Sequence, residues 1–202
     1  MKKQNRHTLT SIIFILVWLT LTSCQDNSEI IVPQFLKEKQ IPSLTETYPE
    51  IYSQAKRWDD NAKLSLVDIS IGTKRNDIAA FYEHVDDLSE GLMVRYEADG
   101  TITTKIIEYN FPRTKTRKRR YVDISEIEID SVDAWDIFLT RSEILSYKQK
   151  SFECTGLILL PTVFEGIERN IWRLSVGECE AHTHDYFHID ARTGEWLEID
   201  FP

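Results

Sequence analysis

The sequence predicts an α+β protein of two successive units, each a helix packed on about four antiparallel strands. Three observations carry this expectation. Apolar residues recur at helical spacing through residues 45–63. Runs with the alternation of β-strands, broken by turn signals, follow as far as residue 129. From Asp130 the same order of helix and then strands starts again and continues to the end of the chain.

Ahead of the first unit, Lys2, Lys3 and Arg6 make a positive start before the apolar run Ile12 to Leu21. Ten such residues rise only about 15 Å as a helix, roughly half a bilayer core. A secretory signal fits that length better than a membrane-spanning helix. The run closes on Leu-Thr-Ser-Cys, residues 21–24, which resembles the lipobox of bacterial lipoproteins. That resemblance implies lipid on the Cys24 sulfur, cleavage after Ser23 and an acylated new amine. At ~0.8 kcal/mol per buried methylene, two or three acyl chains anchor stably where one does not. Gln25 is not the aspartate of an inner-membrane retention signal, so an exported chain on the periplasmic face of the outer membrane is expected if the cell is Gram-negative. Residues 1–23 are thus expected to be a signal peptide. Residues 24–44, polar and holding Pro33 and Pro42, read as a tether.

The first unit spans 45–129. Tyr48, Ile51, Tyr52, Ala55, Trp58 and Ala62 form one stripe of a helix over Thr45 to Lys63, with Thr45 or Thr47 to cap it. Leu64, Leu66, Ile69 and Ile71 suggest a strand, and Asn76 to Leu88 a second short helix. Two β-rich runs around Ala98-Asp99-Gly100 predict a hairpin. Arg120 to Ile129 alternates and reads as another strand. The second unit spans 130–202. Asp130-Ser131 caps a helix whose face carries Val132, Trp135, Phe138, Leu139 and Leu145. Strands follow at Cys154–Thr162, Asn170–Val176, Tyr186–Asp190 and Glu195–Phe201, the last two joined by Ala-Arg-Thr-Gly.

The ending of the chain, with Trp172 on one strand and Ile189, Asp190, Thr193, Gly194, Glu195 and Leu197 at the final hairpin, resembles a PepSY-type domain. The stretches AKRWDDNAKLSLVDI and IDSVDAWDIFL resemble the helix-to-strand markers of tandem PepSY-like lipoproteins. In the physical reading, Asp190 accepts from backbone N–H groups two or three residues on, and Gly194 takes the left-handed turn. The resemblance implies a fold like that of β-lactamase-inhibitor proteins, and a role in binding or restraining peptidases. It brings no catalytic residue with it.

Net charge is −9, and removal of residues 1–23 takes three cations and no acid, leaving −12. Such a chain argues against nucleic acid as a partner. Cys154 and Cys179 remain beside Cys24, in a compartment where disulfides form. A hairpin turning at Gly166-Ile167 would set Leu157 against Val176, Leu159 against Leu174 and Cys154 against Cys179, inviting a cross-strand disulfide.

On a strand, His182, His184 and His188 share one face. His182 and His184 would lie ~7 Å apart, close enough for two-point zinc binding, with His188 about 13 Å further on. The blander and preferred reading is an ordinary polar strand face with surface histidines. Arg113, Lys115, Arg117, Lys118, Arg119 and Arg120 form a basic run that could meet an anionic surface, or could simply be a solvated, charge-protected strand edge. No G-x-S-x-G, HExxH or glycine-rich phosphate loop occurs. The expectation is a non-catalytic, lipid-anchored envelope protein with no cofactor, binding a protein or peptide partner through an exposed sheet. The alternatives are a metal-binding protein using His182 and His184, and a structural envelope component.

Overall fold

The structure, a computed structural model, describes residues 31–71, 76–86, 89–109, 120–178 and 184–199. Two helices come first, α1 (Gln34–Lys37) and α2 (Leu44–Trp58). Four strands follow: β1 (Lys63–Ser70), β2 (Ile78–Glu83), β3 (Glu90–Tyr96) and β4 (Ile102–Glu108). After a 3₁₀ turn at Ile124–Glu126 come α3 (Ser131–Phe138), α4 (Ser142–Leu145) and a second 3₁₀ turn at Gln149–Phe152. The chain then forms β5 (Gly156–Phe164), β6 (Ile167–Val176), β7 (Asp185–Asp190) and β8 (Trp196–Leu197).

All strands join one open antiparallel sheet of eight, in the order β4-β3-β2-β1-β5-β6-β7-β8. The expected succession of helix and strands is there twice. The strands of both halves nevertheless share a single sheet, and residues 32–202 cluster as one compact unit. The halves meet where β1 pairs with β5, Val67 opposite Leu159 and Ile69 opposite Leu157.

Strand alternation decides which face is covered. Val67, Ile69, Ile78, Ala80, Leu92, Val94, Leu157, Leu159, Trp172, Leu174 and Ile189 are buried and belong to one core. The buried residues of the helices, among them Leu36, Ile51, Ala55, Trp135, Phe138 and Ile144, belong to the same core. All these strand positions share one face, so the described helices form a layer on that side only, as α+β packing requires. Trp172 ties the layer down, its indole N–H donating to the Ile129 carbonyl at 2.8 Å.

Several sequence expectations need correction. Residues 32–44 are not a free tether: Leu36 and Leu44 are 1% and 2% exposed, and the Lys39 ammonium donates to the Ile71 carbonyl at 2.9 Å. The α2 cap is Ser43, whose Oγ accepts from the Glu46 N–H at 3.1 Å. The helix expected over Asn76–Leu88 is not formed among the described residues, because its central residues Ile78–Glu83 form β2 between β1 and β3. Sheet pairing on both sides outweighs their helix propensity. Arg120–Ile129 is irregular around a 3₁₀ turn rather than a strand. It meets β1 through a single backbone bond, Val122 N–H to the Leu64 carbonyl at 2.8 Å, beside the Val67–Ser70 stretch that β5 occupies, and then turns at Ile124–Glu126. The long helix expected after Asp130 breaks after Phe138 and resumes as the single turn α4.

The β5–β6 hairpin turns one residue earlier than expected, on Glu165 (φ 52°) and Gly166 (φ 80°), a left-handed pair suited to a two-residue loop. Leu157 therefore faces Leu174 and Leu159 faces Trp172. The ladder stops at Gly156 and Ser175, before either cysteine.

Candidate functional site

The face away from the helices is built from the alternate strand positions. One row crosses all eight strands: Thr103, Arg95, Ala79, Asp68, Ile158, Arg173, His188 and Leu197 stand opposite one another in turn. Beside it Met93 faces Phe81, Phe81 faces Leu66, and Leu160 faces Ile171. Leu66, Phe81, Met93, Ile158 and Leu160 are all half-buried, neither sealed in a core nor fully in water.

An ion pair is formed on this face. Arg95 Nη1 lies 3.2 Å from Asp77 Oδ2, and the Asp77 side chain is only 5% exposed. Burial and then repulsion from Asp77 push Asp68 above the ordinary carboxylate range, with Arg173 and Arg95 opposing the rise. The Arg173 guanidinium packs 5.1 Å from the Tyr186 ring centre. His188 is buried next to Arg173, and burial followed by that positive charge pushes it down to about 4. The imidazole is uncharged at neutral pH. The face thus carries basic and acidic groups alongside apolar surface.

The final hairpin closes this face. Asp190 Oδ1 accepts from the N–H groups of Arg192 and Thr193 at 2.9 and 3.1 Å, and Gly194 has φ 73°. Asp190 Oδ2 is held at 3.0 Å by Arg169, making this turn a buried ion-pair site as well. At the same end of the sheet, on the helix side, lies a groove of about 600 Å³. Tyr48, Tyr52, Tyr121, Arg120 and Arg169 are among the residues that line it.

The sequence-predicted sites are dispersed. Cys24, Arg113, Lys115, Arg117, Lys118, Arg119, Cys179 and His182 lie outside the described residues. Arg120 borders the groove and pairs loosely with Glu168, Nε to Oε1 at 3.7 Å. Cys154 is held in a disulfide. His184 Nδ1 sits 3.2 Å from Ser175 Oγ, and four residues on His188 is buried against the sheet. Among the described residues no three His, Cys, Asp or Glu side chains converge as metal ligands. The charged row lies outside the sequence-predicted sites, although Asp68 between Val67 and Ile69, and Arg173 between Trp172 and Leu174, are polar residues set into alternating apolar strands.

No family model matches the chain, and no curated protein matches it. Among solved structures, a protein of Clostridium difficile 630, provisionally described as a lipoprotein, superimposes with a TM-score of 0.49 and 10% identity, over 81% of this chain and 94% of that one. No described helix is long and apolar enough to cross a membrane.

Proposed function

We propose that the chain is a lipid-anchored envelope protein whose sheet face opposite the described helices binds a protein or peptide partner, with no chemistry of its own. The observation that carries this reading is the juxtaposition on that face of the row Arg95, Asp68, Arg173 and His188 with half-buried Phe81, Met93, Leu66 and Leu160. An ion pair such as Arg95–Asp77, already formed in the free protein, needs little reordering to meet a partner, and partly exposed apolar surface is what a contact would cover. Location comes from Leu-Thr-Ser-Cys at residues 21–24, which would place lipid on Cys24. The tandem PepSY-like reading is supported by the doubled element order and by the Asp190 turn.

The test joins location to contact. Photo-crosslinking from position 93 in whole envelopes is expected to trap one adduct, lost when Phe81 and Leu160 are both changed to Asp in a chain that still folds. Cys24→Ala is expected to release the protein from the membrane fraction. An adduct indifferent to the double change would sink the contact face, and retention of Cys24→Ala in the membrane would sink the anchor.

A further inference from the structure

The two edges of the sheet are unequal. At one end β8 is only Trp196–Leu197, whereas at the other β4 runs for seven residues, Ile102–Glu108, without proline or bulge. Among the described residues nothing pairs with the outer side of β4. Ile106 on this strand is 42% exposed. A long regular edge of this kind is a template for another strand.

The ladder shows which backbone groups point outward. Glu97 N–H donates to the Thr101 carbonyl at 2.9 Å, and Tyr109 N–H to the Ser89 carbonyl at 2.8 Å. Both pairs keep the β3–β4 register, so the odd residues of β4 spend their N–H and C=O groups on β3. Those of Ile102, Thr104, Ile106 and Glu108 therefore face away from the sheet. The same even positions carry side chains on the helix side, where Ile106 stands opposite Leu92 and Ile102 opposite Tyr96.

We propose that β4 pairs antiparallel with β4 of a second copy, about a two-fold axis at Thr104. In this register Thr104 meets Thr104, and Ile102 meets Ile106 of the second copy. All are even residues, so each facing pair exchanges both of its free hydrogen bonds. The half-exposed Ile106 is covered by Ile102, and the apolar strip above β3 and β4 continues across the join. On the other face Thr103 stands opposite Lys105. The register with greater overlap, centred on Lys105, has the same hydrogen-bond parity but sets Lys105 against Lys105 and Ile102 against Glu108. Like charges directly opposed are unfavourable, which selects Thr104 as the centre. The axis is normal to the sheet, so the faces of both copies opposite the described helices lie side by side on one surface.

The core lies within residues 32–202, so the chain from Gln25 can be tested without its anchor. Sedimentation velocity is expected to show a monomer–dimer equilibrium that shifts with concentration through the micromolar range. Thr104→Pro removes an outward N–H that β3 does not use, and edge positions tolerate proline. It should give a monomer with unchanged far-UV dichroism. Ile106→Lys, a change at an exposed position, should also give a monomer and covers the case in which the proline disturbs folding. Thr103→Pro, by contrast, strikes a bond to β3 and should destabilise the fold. A wild-type chain that stays monomeric throughout, or a dimer that survives Ile106→Lys, overturns the proposal.

Discussion

At the scale of single residues, the sheet face opposite the described helices is held by groups that are charged or neutral according to what buries them. His188 is 4% exposed, and burial with Arg173 beside it holds it neutral down to about pH 4, whereas the unfolded chain protonates near 6.5. Between those values the unfolded state binds more protons, so this contribution is complete above pH 6.5 and is lost as pH falls toward 4. The two pKa values correspond to on the order of 3 kcal/mol. Asp68 acts in the opposite sense: its raised carboxyl favours the native state most at low pH, and that contribution fades as pH rises above the ordinary carboxylate range. We expect His188→Phe, which keeps an uncharged ring in place, to flatten the fall in urea midpoint between pH 6.5 and 4. An unchanged slope would mean that His188 is not the group that titrates. Asp68 and Arg173 interrupt the apolar alternation of their strands, a signal present in the sequence but not among its expected site residues. Their approach to Asp77 and Arg95 was not legible, because it depends on β1 pairing with β2 on one side and β5 on the other.

At the scale of elements, the final hairpin shows what short-range chemistry can specify. Asp190 and Gly194 were legible because their bonds close within four residues, and the structure places them as the local argument requires. Arg169 came from another strand and was not foreseen. Asp190→Ala is expected to destabilise by about 2–4 kcal/mol, since two N–H groups lose their acceptor and a largely buried guanidinium loses its partner. Asp190→Asn, which keeps an oxygen acceptor for the turn but not the charge, should recover part of that loss in a urea titration. Equal losses in the two variants would assign the whole effect to the ion pair. The elements misread from sequence fail for a matching reason. Ile78–Glu83 carries helix-compatible residues, yet neighbours on both sides make it a strand, while Arg120–Ile129 alternates but makes one bond to β1 at Val122 before its 3₁₀ turn ends the extended run. A periodicity states what a segment can do, and the sheet order decides whether it does.

At the scale of the whole molecule, the two halves read from the sequence are bonded to each other at the boundary that separates them in the chain. The start of α2 is tied to the start of α3. Leu44 N–H donates to Ser131 Oγ at 2.9 Å, Ser131 Oγ–H donates to the Pro42 carbonyl at 2.7 Å, and Thr45 N–H donates to Asp130 Oδ1 at 3.0 Å. The connecting segment is sewn to both halves, with Val122 N–H on the Leu64 carbonyl at 2.8 Å and Asn170 Nδ2 on the Asp123 carbonyl at 3.4 Å. Between them runs the β1–β5 ladder, where Val67, Ile69, Leu157 and Leu159 are all fully buried. Cutting the chain near residue 129 would expose two unpaired strand edges and the apolar residues beneath them, a loss that neither half has other contacts to offset. Residues 45–129 expressed alone are therefore expected to remain unfolded. The intact chain should lose tryptophan fluorescence and far-UV dichroism in one coincident denaturant transition. Trp58 reports on the first half, and Trp135, Trp172 and Trp196 on the second, so non-coincident transitions would reveal independent units. That outcome would restore the two-unit reading at the level of energetics, and a folded 45–129 fragment would do so directly.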